Sequence, residues 1–108
     1  MASIAGVAGY PNFSAYVASK HGVVGSTKAA AHEVAPRGIS VDAVCPNYVN
    51  TGMYHELAQG RDLVEHSSHL FKRLVEPEEV TSLVGFLLSD ESKFMTKTAY
   101  LIDERALS

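Results

Sequence analysis

The apolar and polar positions of residues 77–88 repeat with the period of a helix. Pro77 can begin this helix without losing a hydrogen bond, and Glu78 and Glu79 suit the positive end of its dipole. The apolar stripe consists of Val80, Leu83, Val84, Leu87 and Leu88. The pattern therefore predicts an amphipathic helix that packs one face against a core.

A second helix is predicted from about Phe13 to Val34, a stretch rich in alanine that Asn12 or Ser14 could cap. This stretch contains Gly22 and Gly25, and a glycine inside a helix costs about 1 kcal/mol relative to alanine. Two such glycines suggest that another backbone packs closely there. The simplest candidate is the sheet of the same subunit.

Two short apolar runs predict strands. Residues 39–45 (ISVDAVC) have only Ser40 and Asp42 as polar members, which favours a central parallel strand buried on both faces. Gly38 is placed to take the left-handed conformation that ends the preceding helix. Residues 98–103 (TAYLID) predict the last strand. Helix, turn and strand in this order indicate an α/β protein, with a βαβ crossover if another strand precedes them.

Composition and charge are those of an ordinary globular chain. The 108 residues fit one small domain, 46% hydrophobic and 19% charged. A formal net charge of -3 without a basic cluster argues against nucleic acid as a partner. No apolar run approaches the roughly 18 residues of a membrane span, and no secretory pattern opens the chain, which predicts a cytoplasmic location. Cys45 is the only cysteine, so no internal disulfide can form and the side chain is expected to be buried.

Residue spacing disfavours two other kinds of chemistry. Glu65, His66 and His69 lack the histidine spacing of a zinc-binding helix, and no further ligand is evident, so no metal site is expected. No Gly-x-Ser-x-Gly segment occurs, which disfavours a hydrolase.

The stretch SIAGVAGYPNFSAYVASK, residues 3–20, contains the strongest candidate chemistry. Tyr16 and Lys20 lie one turn apart on the same face if this part of the chain is helical. A free phenol has a pKa of about 10, whereas a nearby ammonium group favours the phenolate and so makes proton transfer easier. Ser3, on a neighbouring loop, could donate a hydrogen bond to a substrate oxygen that gains charge during the reaction.

Ser3, Tyr16 and Lys20 at this spacing, with SIAG opening the stretch and YVASK closing it, resemble the catalytic segment of the short-chain dehydrogenase/reductase family. The resemblance covers residues 1–108 as a single partial domain, the carboxy-terminal half of the family's domain. It implies part of a Rossmann-type, doubly wound parallel sheet. It also implies hydride transfer between NAD or NADP and a small-molecule carbonyl or secondary alcohol. Tyr16 is then the general acid/base, Lys20 assists Tyr16 and binds the nicotinamide ribose, and Ser3 polarises the substrate.

The segment PNYVNT, residues 46–51, resembles the Pro-Gly-x-x-x-Thr loop that lies over the nicotinamide in this family. The resemblance implies that Pro46 turns the chain, that Val49 offers backbone groups to the carboxamide, and that Thr51 bonds the carboxamide or the phosphates. Asn47 stands where the family usually has glycine. Because asparagine tolerates a positive φ well, the turn is expected to survive.

Residues 46–76 are interpreted as the cofactor and substrate loop with a lid, in which residues 55–76 form one or two short helices. The candidates for lining the substrate site are Tyr48, Met53, Tyr54, Leu57 and Phe71, although the same side chains could merely pack the lid down. The resemblance also implies that helix 13–34 pairs with its copy in a homo-oligomer. That is the other explanation for its two glycines, and the sequence leaves both explanations open.

The chain lacks three features of the family. These are the glycine-rich turn that holds the pyrophosphate, the residue that distinguishes NAD from NADP, and the catalytic asparagine. Lys97, Glu104 and Arg105 also replace usual glycines. Because Met1 and Ala2 fit an internal pattern of the family, we expect Met1 to be the internal methionine of a truncated or mis-started product. The alternative function is a catalytically silent half-domain that only associates with itself.

Overall fold

The computed structural model describes residues 1–9, 12–60 and 73–103. Three helices and two strands form the described part of the chain: α1 (Ser14–Val34), β1 (Ala43–Pro46), α2 (Gly52–Ala58), α3 (Pro77–Leu87) and β2 (Ala99–Ile102). Short 3-10 turns lie at Ile4–Gly6, Ala35–Arg37 and Asp90–Ser92. The predicted helices at residues 13–34 and from Pro77 are confirmed, except that Leu88, predicted as part of the apolar stripe, follows the last helical residue and is 83% exposed.

The two ends of α1 differ in how well the sequence predicts them. Gly38 has a φ of 73° and donates its N–H to the Ala35 carbonyl at 2.9 Å, as expected for a left-handed helix terminator. The predicted cap at the other end is wrong. Phe13 occupies the cap position without a side-chain hydrogen bond to the helix, and Ser14 is already helical. Asn12 adopts a φ of 67°, so its tolerance of the left-handed region serves the turn before the helix.

The strands β1 and β2 are parallel neighbours, with Ala43 opposite Ala99 and Pro46 opposite Ile102. The predicted strand at residues 39–45 is too long at its start. Hydrogen bonds to side chains take the place of regular strand pairing there. The Val41 N–H donates to Thr96 Oγ1 at 3.0 Å, and the Thr98 N–H donates to Asp42 Oδ1 at 3.0 Å.

Lys97 adopts a positive φ of 61° just before β2. Its N–H donates to the Val41 carbonyl at 2.9 Å, so the turn is tied to the chain that leads into β1. This is a position where the family resemblance leads one to expect glycine, which enters the left-handed region without the steric cost that a lysine side chain brings.

The strand β1 is buried on both faces, as the apolar run predicts. Ala43 and Cys45 pack with Ala2 and Val24 on the α1 side, whereas Val44 joins a second cluster with Val75 and Val80 on the α3 side. This division follows from the alternation of side chains along a strand. Cys45 is 0% exposed, which confirms its expected burial. The Ala2 N–H also donates to the Val44 carbonyl at 2.9 Å, so the chain before Ser3 runs beside β1.

Gly22 and Gly25 do not pack closely against the sheet, contrary to the first explanation for them. Both are exposed, and a Cβ atom added to either would meet nothing within 4 Å in the described chain. The reason is helical phase, since α1 turns Val24 and Ala31 to the core and leaves the two glycines on its outer surface. Within the described ranges, no helix combines the length and apolar character needed to cross a membrane.

Candidate active site

The turn that carries Ser3 lies against α1. Ser3 is extended, with φ −161° and ψ 163°, and its Oγ accepts the Ala5 N–H at 3.2 Å. A Cβ atom on Gly6 would lie 2.7 Å from Val24 Cγ2 and 3.1 Å from the Lys20 carbonyl oxygen. The missing side chain of Gly6 therefore lets this turn approach the helical turn of Lys20. Sequence reasoning missed Gly6, whose only signal was a place inside SIAG.

Tyr16 and Lys20 face each other on consecutive turns of α1. The Lys20 Nζ lies over the Tyr16 ring, 5.5 Å from its centroid, which is a cation–π arrangement. Tyr16 is 48% exposed, and Lys20 is half-buried. The contact places the Lys20 ammonium group over the exposed ring of Tyr16, as the spacing of two residues one turn apart on the same helix face predicts.

Asn47 directly follows β1 and is buried, at 9% exposure. Its N–H donates to the Ile102 carbonyl at 3.1 Å, its Nδ2 donates to Asp103 Oδ1 at 2.8 Å, and its Oδ1 accepts the Tyr48 N–H at 2.9 Å. The expected positive φ is wrong, because Asn47 is not among the non-glycine residues with positive φ. The Asn47 side chain forms two hydrogen bonds, and its backbone does not adopt the left-handed conformation that would favour glycine.

Val49 forms an isolated parallel bridge with Val75. The Val75 N–H donates to the Tyr48 carbonyl at 2.8 Å, and the Val75 carbonyl accepts the Asn50 N–H at 2.8 Å. In a trans peptide the C=O and the following N–H point in opposite directions, and the described chain contains no cis peptide. The N–H and C=O of Val49 itself therefore point away from Val75.

Thr51 begins α2 as its capping residue. Its Oγ1 accepts the Tyr54 N–H at 3.3 Å and lies 3.4 Å from the Val49 carbonyl, to which it can donate. The side chain that the resemblance assigns to the cofactor thus also starts the helix after the loop. A threonine at this position is typical of helix caps.

The substrate-lining candidates differ in burial. Met53 is 81% exposed, whereas Tyr54 is 8% exposed and packs its ring 5.5 Å from that of Tyr48 at an angle of 58°. Tyr54 therefore packs the loop, and Met53 remains available to a ligand. Phe71 and the Leu57 side chain lie outside the described residues, as does the rest of segment 61–72.

A polar cluster that sequence reasoning missed joins the chain on either side of that segment. Asn50 Oδ1 lies 2.9 Å from His55 Nε2, whose N–H donates, and Asn50 Nδ2 lies 3.3 and 3.4 Å from the Glu76 carboxylate oxygens. Arg73 then bonds Glu79 at 2.7 Å. The acidic first turn of α3 was the only sequence signal for any of these contacts.

In the part of the chain that the structure describes, two side chains have shifted pKa values with clear causes. Burial raises the pKa of the Cys45 thiol, although a hydrogen bond from the Ser3 backbone opposes the change. The hydrogen bond from Arg73 lowers the pKa of the exposed Glu79 carboxyl. Among the described residues, no three His, Cys, Asp or Glu side chains gather as metal ligands. Glu65, His66 and His69 lie outside the described residues.

The chain is similar to known oxidoreductases along nearly its whole length. A family model described as enoyl-(acyl carrier protein) reductase matches residues 1–104. Cyclohexanol dehydrogenase of Acinetobacter sp. (strain SE19) is 47% identical over 102 residues, which cover 94% of this chain and 39% of that protein.

Solved structures of similar proteins contain the same arrangement of elements. A complex of 4-hydroxyisoleucine dehydrogenase with NADH superposes with a TM-score of 0.88 at 30% identity, over 96% of this chain and 44% of that one. A variant of actinorhodin polyketide ketoreductase with NADPH gives 0.85 at 33% identity, over 95% and 44%. The chain thus spans about two fifths of the length of these relatives. On this evidence the chain belongs to the short-chain dehydrogenase/reductase family of Rossmann-fold oxidoreductases.

Proposed function

We propose that this chain supplies the catalytic and nicotinamide-binding part of an oxidoreductase that acts on a small carbonyl compound or secondary alcohol with NAD or NADP. The observation that carries the proposal is the Lys20 ammonium group 5.5 Å from the centre of the accessible Tyr16 ring. Family membership supports the reaction class, because the similar proteins named above are dehydrogenases and a ketoreductase.

Tyr16 moves the proton in this mechanism. In the reducing direction its hydroxyl group donates a proton to the carbonyl oxygen, and in the oxidising direction its phenolate takes the proton from the alcohol. Ser3 Oγ accepts the Ala5 N–H, which leaves its own hydroxyl hydrogen to bond the substrate oxygen.

The loop after β1 fits the carboxamide of a nicotinamide. A carboxamide carries both a donor and an acceptor, and Val49 presents a backbone N–H and C=O on the side away from Val75. Lys20 would hold the ribose, and Thr51 the carboxamide or a phosphate, on a loop whose start is fixed by Pro46 and Asn47. When bound, the nicotinamide supplies or accepts the hydride.

Nicotinamide mononucleotide is the sharpest binding probe, because it contains the nicotinamide, ribose and one phosphate without the adenosine half. We expect the purified chain to bind it weakly and to bind adenosine monophosphate more weakly still, as measured by NMR shifts of the backbone amides. The shifts should include the Val49 amide and residues near Lys20.

Turnover tests the role of Tyr16. We expect carbonyl-dependent oxidation of NADH or NADPH to fall by about 10² to 10⁴ in Tyr16→Phe, since general acid/base catalysis contributes that much. Tyr100→Phe on β2 is the matched control and should keep its activity. If the parent chain neither binds the mononucleotide nor oxidises reduced cofactor, yet sediments as an oligomer, the alternative of a silent, self-associating half-domain is correct.

Self-association through α1 is compatible with either function. The outer surface of α1 carries an exposed stripe of small residues at helical spacing: Ala15, Ala18, Gly22, Gly25 and Ala29. Small side chains let two helix backbones approach closely. We therefore propose that a second copy of the chain packs its own α1 against this stripe.

A further inference from the structure

We propose that Asn47, held by Asp103, is a positioning residue that fixes the direction in which Val49 presents its backbone groups to the nicotinamide. The inference rests on the proposed function and adds a pair of residues to it. The family resemblance assigns no such side chain, because glycine usually stands at position 47 and can make neither of the two bonds described below.

The bond between Asn47 and Asp103 extends the sheet by one position. The ladder of β1 and β2 ends with Pro46 opposite Ile102, so Asn47 and Asp103 are the next pair in the same register. Their side chains meet across the strands, with Asn47 Nδ2 donating to Asp103 Oδ1 at 2.8 Å. The backbone bond from Asn47 to the Ile102 carbonyl at 3.1 Å lies beside it. The start of the loop is therefore attached to β2 by both backbone and side chain.

The other end of the same amide reaches into the loop. Asn47 Oδ1 accepts the Tyr48 N–H at 2.9 Å, and the Tyr48 carbonyl accepts the Val75 N–H at 2.8 Å. Both peptide groups of Tyr48 are thus oriented, one by Asn47 and one by Val75. The peptide that contains the Tyr48 carbonyl also contains the Val49 N–H, so its orientation sets where that N–H points.

Burial makes the amide well suited to this role. Asn47 is one of two buried polar residues among the described residues, and the other, Ser92, lies in the 3-10 turn after α3. Leaving a buried amide without hydrogen-bond partners costs free energy. The two side-chain hydrogen bonds therefore hold Asn47 in its buried position. The loop start is consequently more rigid than a glycine would make it.

The test uses substitutions in the isotope-labelled chain of 108 residues. Asn47→Ala removes both side-chain bonds, and Asn47→Asp sets two carboxylates against each other. Combining Asn47→Asp with Asp103→Asn exchanges the donor and the acceptor of the pair. The carboxylate at position 47 can then accept hydrogen bonds from the amide at position 103 and from the Tyr48 N–H. Asp42→Ala is the matched control, because Asp42 makes a similar cross-strand bond to Thr98 at the opposite end of β1.

Two readouts are compared, namely hydrogen exchange of the Tyr48 amide without ligand and the Kd for nicotinamide mononucleotide. We expect Asn47→Ala and Asn47→Asp to speed the exchange and to weaken binding about tenfold. The reversed pair should restore both to within about threefold of the parent. Asp42→Ala should lower stability but leave the Kd unchanged.

Different outcomes separate the two proposals. If Asn47→Ala exposes the Tyr48 amide and every variant binds the mononucleotide as the parent does, the positioning role is wrong while the proposed function stands. The positioning role is also wrong if the reversed pair binds no better than Asn47→Asp alone. Failure of the parent chain to bind the mononucleotide overturns both.

Discussion

Gly6 lies where the turn that carries Ser3 touches α1, and its lack of a side chain decides how closely they approach. The nearest atoms belong to the Val24 side chain and to the Lys20 backbone, and a helix backbone cannot move aside as a flexible side chain can. Because Gly6 has a hydrogen atom where alanine has a methyl group, the turn that carries Ser3 can lie against the helical turn of Lys20.

We expect Gly6→Ala to destabilise the chain by about 1–3 kcal/mol, the usual cost of overpacking. Urea unfolding followed by circular dichroism measures the change. Gly9→Ala is the matched control, because a Cβ atom at Gly9 meets nothing within 4 Å. It should be neutral or slightly stabilising. Equal effects of the two substitutions would contradict the close approach.

Arg73 and Glu79 organise the start of α3. The Glu76 N–H donates to Glu79 Oε1 at 3.4 Å, and both Arg73 amino groups bond the Glu79 carboxylate, at 2.7 and 3.2 Å. The chain entering α3 and the first turn of the helix are therefore connected through one carboxylate, next to the Val49 and Val75 bridge.

This connection should weaken in acid. The Glu79 pKa is lower in the folded chain than its ordinary value of 4.5, so the carboxylate stabilises the fold above that pH and loses the effect as the pH falls through the folded value. We expect the difference in urea midpoint between the parent and Glu79→Gln to shrink on acidification from about pH 6 to pH 3. Glu78→Gln, which removes the same charge from the same turn, should keep the acid dependence of the parent. A constant difference for Glu79→Gln would contradict the assignment.

Patterns that are local in the sequence predicted the helices and strands. Contacts between residues far apart in the sequence explain what those patterns missed. Helix period, proline and glycine signals gave α1, α3 and the turn at Gly38, because each depends on residues close in sequence. The spacing of Tyr16 and Lys20 predicted their contact for the same reason. The bond from Asn47 to Asp103 joins residues 56 positions apart, and that from Asp42 to Thr98 spans the same separation. No local signal distinguishes an asparagine with such a partner from one that merely tolerates a turn.

At the scale of the whole molecule, α1 has two different surfaces. Val24 and Ala31 are buried against the sheet side, while the stripe of small residues that includes Gly22 and Gly25 is exposed. Glycine is an unfavourable helix residue, so its presence on an exposed surface is explained if a second backbone covers it. The pairing of two copies through α1 is the arrangement we propose.

A charged side chain on this surface should prevent the pairing. We expect the parent chain to sediment as a dimer or larger oligomer and Gly22→Glu to sediment as a monomer. Gly85→Glu on α3 is the matched control, since Gly85 is also an exposed helical glycine with nothing within 4 Å of an added Cβ atom. It should leave the oligomer intact. Identical sedimentation of all three chains would rule out an interface at the stripe.

The rate at which the Cys45 thiol reacts can report how often the chain opens. The thiol is wholly enclosed between β1 and α1, and burial raises its pKa, so an alkylating reagent that attacks thiolates meets almost no reactive sulfur in the closed chain. Labelling must then wait for the strand and the helix to separate. The rate at which this single thiol is modified therefore reports the rate of those openings, without any added fluorophore.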